Sequence, residues 1–558
     1  MKKLFSLLFL ALVGAAPALA QWNTNATPKC IVSTTYVDEN GETKTGGDYY
    51  ACSPKVARTA DKKTWIAWRT WGHKYINGQK TTAVRTYLQL LDRDGVPQFD
   101  EPILVNDHIT PSWWSEYAVC AAADGSAIVT VADSRTEDES YVDEGFSPQT
   151  FTPAVYKIDQ EGNFLWGLDG IEYRDVADGP YTNAFVIGDD TYFVYVCIGD
   201  DTAGTYIQRI SDDGVEQWDE PLLWPGGSTL QLKLLATTDD EVLVFDTTPD
   251  GSRVHRMDKD LQEEVWGETV IYDENKYDGY EMNHYRILSD GSGGAVVAFL
   301  RSMGIFSHNI RVQHINADGS LGFGLSGLDV YNADEYDHNY PALAVNPKTE
   351  EIMVQFASQL SSTGNVMHQK FSFDGDYLYD ELGVSIASKS TVSNSYFYGL
   401  VGIGALECGD WVCCYRDISS YNKESFIIRR YDKDGKRVWT KTIGRDLAPA
   451  NVAFVVEEEA AYLFYREEAS AKEPGLKIFR IGADGTYNVT YPEPEPEVVK
   501  GDVNGDNTVD VADIASIISV MADSGIDATA DVNGDGQVDV ADIATVISIM
   551  AGGDGVEE

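Results

Sequence analysis

"ISDDGVEQW", residues 210–218, places an Asp-Gly pair between an alternating apolar run and an aromatic residue four positions beyond the glycine. Asp-Gly is a tight-turn pair, because glycine enters the left-handed backbone region without steric cost. The run before it, "YIQRI", alternates with the period of a half-buried strand. The phrase returns along the chain as "LDRDGVPQF" (91–99), "IDQEGNFLW" (158–166), "MDKDLQEEVW" (257–266) and "INADGSLGF" (315–323). It continues as "FSFDGDYLY" (371–379), "YDKDGKRVW" (431–439) and "IGADGTYNV" (481–489). The late aromatic is Phe99, Trp166, Trp218, Phe323, Tyr379 and Trp439; Trp266 comes one residue late and Val489 breaks the rule. These Asp-rich turns lack the later oxygen ligands of a calcium loop, so they read as turns.

Working outward, each phrase is preceded by a further apolar strand, such as "TWIAWRTW", "TYFVYVCI" or "GAVVAFLR", and by one more short strand. A four-stranded unit of this size cannot bury both faces alone, so repeated units must stack. Eight such units over residues 21–490 predict a mainly β fold, an eight-bladed β-propeller. Seven is the count if the degenerate fourth or eighth unit is not a blade. The aromatic after each turn is expected to wedge between neighbouring blades. The phrase loosely resembles the Asp-box of sialidase-like propellers. It departs from that box in that glycine directly follows the acid and three residues precede the aromatic. The resemblance implies a propeller and no particular chemistry.

A second repeat closes the chain. "DVNGDNTVDVAD" (502–513) returns as "DVNGDGQVDVAD" (531–542), an offset of 29 residues. Read as twelve-position loops, they place oxygen ligands at Asp502, Asn504, Asp506, Thr508 and Asp513, and at Asp531, Asn533, Asp535, Gln537 and Asp542. Position 7 contributes its backbone carbonyl. Gly536 fills the sharp-turn position of the second loop; Asn507 stands there in the first. Ile514, Ile517, Ile518 and Met521 follow the first loop, and Ile543, Val546, Ile547 and Met550 the second, each set spaced as one apolar helix face. The two stripes are expected to pack together once calcium neutralises the loops, so metal binding should supply folding free energy. The duplicated loop–helix unit at 501–551 resembles a dockerin module, in which Asp stands at position 12 where ordinary calcium loops carry Glu. The resemblance implies two calcium sites, a small all-α fold and docking onto a cohesin-type partner. It also implies membership of an extracellular polysaccharide-degrading system. Docking residues of the family fall at Val511, Ala512, Val540 and Ala541, apolar in both copies, which would allow docking in either of two orientations.

Between the two regions, "YPEPEPEVVK" (491–500) alternates Pro and Glu and should be an extended, self-repelling spacer. The start, "MKKLFSLLFLALVGAAPALAQW", has the basic, apolar and small-x-small order of a secretory signal peptide over residues 1–20. No later stretch is long enough to span a membrane. A secreted or cell-surface protein is expected. A net charge of −47 argues against nucleic acid as a partner. The seven cysteines show no metal spacing and read mostly as small buried apolar residues.

The segments just before each unit's first strand are rich in aromatics, amides and acids. Trp113, Trp114, Tyr117, Tyr181, Asn283, His284, His338, Tyr340 and Tyr396 are the candidate ligand-binding residues. Aromatic faces beside amides and carboxylates suit sugars, whose C–H faces stack while hydroxyls find partners. Glu116 and Glu281 are the candidate carboxylates should the propeller hydrolyse glycosidic bonds. Arg69, Arg135, Arg301, Arg416 and Arg466 recur at one repeat position, as blade residues do. A second reading is a non-catalytic surface or adhesin protein whose propeller binds protein.

Overall fold

A computed structural model describes residues 22 to 550. The segments 34, 38–42, 46–49, 77–78, 107, 109–114, 136–150, 174–178, 199–202, 226–231, 238–240, 249–250, 268, 274–285, 305–306, 332–336, 361–362, 391–397, 421–422, 448, 468–474, 490, 492–499, 505–507, 523–528 and 534–536 lie outside the described residues. The chain divides into two compact units, Met1–Val489 and Thr490–Glu558.

The first unit is a ring of eight four-stranded antiparallel sheets, of which blades 1 to 7 are innermost-to-outermost meanders. Blade 1 is built from Tyr50–Arg58, Thr64–Ile76, Gln79–Leu91 and Ile103–Leu104, and blade 2 from Ala118–Ala121, Ala127–Asp133, Thr152–Ile158 and Ile171–Glu172. Blade 3 is Tyr181–Ile187, Asp190–Cys197, Gly204–Ile210 and Leu222–Leu223; blade 4 is Lys233–Ala236, Val242–Thr248, Gly251–Met257 and Val270–Asp273. Blade 5 is Arg286–Ser289, Ala295–Gly304, Ser307–Ile315 and Leu328–Asp329; blade 6 is Asp337–Asn346, Glu351–Leu360, Thr363–Ser372 and Val384–Ser390. Blade 7 is Tyr398–Ala405, Trp411–Ser420, Lys423–Tyr431 and Arg437–Leu447. Blade 8 takes three strands from Pro449–Val456, Ala460–Glu467 and Gly475–Gly482, and its outermost strand, Lys29–Ser33, from the other end of the chain. The count is eight: both degenerate units are blades.

The repeated phrase is the connection between third and fourth strands. In blade 3, Gly214 N–H donates to the Ser211 carbonyl (2.9 Å) and Ser211 N–H to the Val215 carbonyl (2.9 Å). Gly214 has φ +81°, and a Cβ there would meet the Trp166 ring of blade 2 at 2.5 Å, so both backbone and neighbour require glycine. The fourth phrase holds one extra residue. Asp258 N–H reaches Glu263 rather than the fourth residue on, and Leu261 takes the left-handed position at φ 54°. That insertion is why Trp266 comes late.

Each late aromatic lies against the turn of the following blade. Trp166, Trp266 and Trp439 donate their indole N–H to the carbonyls of Asp212 (3.1 Å), Ala317 (3.0 Å) and Ala483 (2.9 Å), the second residue of the next turn in every case. Val489 breaks the pattern because blade 8 takes its wedge from Trp22, whose indole N–H reaches the equivalent Arg93 carbonyl at 2.9 Å. Wedge and outermost strand thus both come from residues 22–33.

A second ring runs beside the wedges. Two residues before the turn stand Lys157, Arg209, Arg256, His314, Lys370, Arg430 and Arg480 in blades 2 to 8. Arg256 bonds Glu241 of its own blade and the Ala317 carbonyl of the next; Arg430 does the same with Asp410 (2.7 Å) and the Ala483 carbonyl (2.7 Å). Lys370 bonds Glu351 (2.8 Å) and the Lys433 carbonyl (2.8 Å). Arg256 and Lys370 are buried and Arg430 half-buried, and each is satisfied on both sides, as burial of charge demands. Apolar clusters fill the space between successive blades and include the seam between blades 8 and 1, where Trp22, Trp68, Tyr462 and Ile478 meet.

In the second unit, helices α1 (Val511–Ala522) and α2 (Val540–Met550) carry a shared core centred on Ile517 and Val546, both fully buried. Ile518, Ile547 and Met550 correct the expected stripe: they are 52%, 52% and 43% exposed. At 100° per residue, position 518 turns away from the face centred on Ile517. Val503, Val509, Val532, Val538 and Ile549 complete the core instead. The cysteines also divide: Cys197, Cys413 and Cys414 are buried, while Cys30 and Cys408 are exposed.

Candidate functional site

In a four-stranded meander the first strand starts on the face opposite the third-to-fourth turn. On that face, away from the Asp-Gly turns, the inner strands of blades 1, 2, 3, 4 and 8 enclose a cavity of about 840 Å³. That volume lies within the range of small-molecule sites, about 300–1,000 Å³. Of the sequence candidates, Glu116, Tyr117 and Tyr181 line it, with Asn183 beside them. Tyr117 is buried; its hydroxyl donates to the carbonyls of Ser53 and Ala67 (3.2 Å), and the Arg69 guanidinium lies 4.4 Å from its ring centre. Arg69 in turn donates to the Ser115 carbonyl and to Ser115 Oγ (3.1 Å). Tyr117 and Arg69 therefore build the wall. Glu116 keeps its carboxylate in solvent contact while its backbone is fixed: its N–H donates to Pro180 (2.9 Å) and its carbonyl accepts from Thr182 Oγ1 (3.2 Å). Lys55 Nζ stands 3.7 Å from Glu116 Oε2, both half exposed, a weakly held pair.

Lys233, Asn451 and Cys120 also line the cavity, and sequence reasoning passed over them. Lys233 opens the inner strand of blade 4 and Asn451 lies in the first half of that of blade 8, the two units whose leading segments lack aromatics. The missed signal was the repeat position itself, which the aromatics marked in the other six units. Burial, with Lys55 and Arg286 as like-charged neighbours, holds the Lys233 ammonium below its ordinary range. Burial pushes the Cys120 thiol up to about 11, against the pull of Lys233.

Trp113, Trp114, Glu281, Asn283, His284 and Tyr396 lie outside the described residues. His338 and Tyr340 fall on the first strand of blade 6, whose register shifts between Asn339 and Ala342. Arg135 is held by Asp133 (2.9 Å), Glu172 (2.8 Å) and the Tyr156 hydroxyl (2.7 Å), and Arg416 by Glu424 (3.2 Å).

In the C-terminal unit, Asp513 and Asp542 are fully buried. Asp513 Oδ1 accepts the N–H groups of Val503 (2.8 Å) and Asn504 (3.0 Å), and Oδ2 that of Asp510 (2.8 Å). Asp542 repeats this with Asn533 (3.1 Å) and Asp539 (2.8 Å). The last residue of each loop thus closes it back onto its own start. Asp510 and Asp539 cap the helices through Ala512 N–H and Ala541 N–H, both 2.7 Å. Asp506 and Asp535 lie outside the described residues. Val511 and Val540 are 69% and 68% exposed, and Ala512 and Ala541 are exposed beside them. Among the described residues no helix is long and apolar enough to cross a membrane.

No curated protein matches the chain. Among solved structures, an ulvan lyase described as a new family of polysaccharide lyase is similar at TM-score 0.41 and 10% identity, over 80% of this chain and 97% of its own. A protein of unknown function from Dyadobacter fermentans is similar at TM-score 0.34 and 10% identity, over 81% of this chain and 98% of its own. A neuraminidase-like protein from A/bat/Guatemala is similar at TM-score 0.31 and 10% identity, over 82% of this chain and 96% of its own. The family model of the dockerin type I domain matches residues 500–551, the stretch that holds both loops and both helices. Residues 500–551 are a dockerin type I domain, and an eight-bladed β-propeller precedes them in the chain.

Proposed function

We propose that this protein is an exported component of an extracellular polysaccharide-degrading system, seated on a cohesin-type partner by its dockerin domain and recognising glycan through the propeller. The dockerin domain carries the reading, since such modules bind calcium and a cohesin partner. Its donor set fits calcium: each loop offers carboxylate, amide and backbone oxygens, which a hard cation takes. Asp502, Asn504, Asp506, the Thr508 carbonyl and Asp513 would hold one ion. Asp531, Asn533, Asp535, the Gln537 carbonyl and Asp542 would hold a second. The ion supplies charge neutralisation; the protein's own part is the closing of each loop by Asp513 or Asp542. Val511, Ala512, Val540 and Ala541 form the docking residues, exposed at matching places on the two helices. The axial cavity, with Glu116, Tyr181 and Asn183 at its lining, is where glycan enters.

The test is incubation of the full chain with plant, host and sialylated glycans, scoring both retention and new reducing ends. Retention of one glycan without cleavage identifies a binding propeller. New reducing ends identify a glycoside hydrolase acting on O-glycosyl bonds and put Glu116 and Glu281 first for substitution. If no glycan is retained and none is cleaved, glycan recognition by the propeller is refuted.

A further inference from the structure

The whole chain carries 89 Asp and Glu against 42 Lys and Arg. The axial cavity reverses that balance: among the described residues its charged lining is Lys55, Arg69 and Lys233 against Glu116. Arg69 is engaged by Ser115 and Tyr117 in the wall. Lys55 is only loosely paired with Glu116, at 3.7 Å. Lys233 is half-buried and makes no ion pair with any described residue; its ammonium stands 5.9 Å from the centre of the Phe185 ring. Lys55 and Arg286, the latter at the start of the inner strand of blade 5, act on the Lys233 ammonium as like charges, and Glu116 acts on it as the opposite one. Burying an unpaired ammonium costs free energy, and an arriving anion removes that cost. Low-dielectric walls strengthen the attraction further.

We propose that the axial cavity selects an anionic sugar unit, a uronate carboxylate or a sulfate ester, with Lys233 as its direct partner and Lys55 as the second cation. This rests on the reading that the propeller recognises glycan. Lys233 supplies a charge-assisted hydrogen bond to the anion, and Asn183 and Asn451 line the same cavity with amides for hydroxyls. Glu116 competes with the ligand for Lys55, so its neutralisation should help binding.

The test measures binding of the full chain to polygalacturonate, dextran sulfate and neutral dextran at two salt concentrations. Both anionic polymers, or one of them, should bind more tightly than dextran, and binding should weaken as salt rises. The polymer that binds tells carboxylate from sulfate. Lys233→Met should weaken anionic binding roughly 10- to 100-fold, the range of a lost hydrogen bond to a charged group. Lys233→Arg should keep most of it, and Glu116→Gln should tighten it. If Lys233→Met lowers the melting temperature, Lys55→Gln, at a 43% exposed side chain, serves as the second variant. Neutral dextran bound as tightly as the polyanions, or anionic binding unmoved by both lysine variants, overturns this inference and leaves glycan recognition standing. Absence of binding to these three polymers and to every glycan of the wider panel refutes glycan recognition itself.

Discussion

Replacing Trp22 by alanine should open the propeller at one seam. Trp22 is 2% exposed and packs on Tyr462 (5.4 Å between ring centres) and Phe464 (6.1 Å), with the Arg480 guanidinium 5.6 Å from its ring. Truncating a buried tryptophan costs about 3–5 kcal/mol. The lost hydrogen bond to Arg93 adds little, because that carbonyl still accepts from Arg480 at 3.1 Å. A local cost of about 4 kcal/mol follows. Its consequence depends on position. The strand Lys29–Ser33 pairs with Gly475–Leu476 and Lys477–Ile478 across an irregular register and is tied to the ring from its own side by Trp22. Hydrogen exchange at the amides of Gly475–Gly482 should speed up by roughly a thousandfold. Trp166→Ala removes a matching wedge, 9% exposed, in mid-chain, where covalent connection holds both blades. It should leave protection at Gly475–Gly482 unchanged. Equal protection of that strand in Trp22→Ala and the parent would refute the closure argument. So would an equal loss in the Trp166 variant.

Two further outcomes follow, one from a buried histidine and one from the calcium loops. His368 is buried between blades 6 and 7, with Nε2 3.1 Å from Gln355 Oε1. Burial, with Arg429 nearby, pulls its imidazole from 6.5 down to about 3. The folded protein therefore refuses a proton that the unfolded chain accepts below pH 6.5. Stability from this site is full above that pH and falls by up to about 1.4 kcal/mol per pH unit toward pH 3. Urea midpoints between pH 6.5 and 4.5 should fall more steeply in the parent than in His368→Gln, and parallel slopes would exclude the site. Calcium removal should melt the 12- and 11-residue helices of the C-terminal unit while the β spectrum of the propeller stays. Helical circular dichroism that persists in chelator would show that the loops fold without the ion.

The range of the interaction decides what a reader of the chain can find. Turn, flanking strands and wedge lie within about ten residues of one another, so the blades and even the two degenerate units are legible from local pattern. The calcium-type loops and their helices are legible for the same reason. The packing stripe drawn from i, i+3, i+4 spacing went wrong at Ile518 and Ile547, because loop valines, not helix residues alone, fill the core. Nothing local in "KCIVS" tells that it pairs with Gly475–Gly482, more than 400 residues away. Yet the absence of an aromatic at Val489 marks a place where the repeat is incomplete, and Trp22 is what completes it. The cavity follows the same logic. Aromatic-rich segments announced six of the eight inner-strand starts, whereas Lys233 and Asn451 belong to the other two inner strands and carry no local signature of binding. Their importance arises only when the ring brings five blades together and leaves a lysine facing a shared space. A repeat protein writes its scaffold in each unit and its site in the differences between units, so the units that break the pattern are the ones to test first.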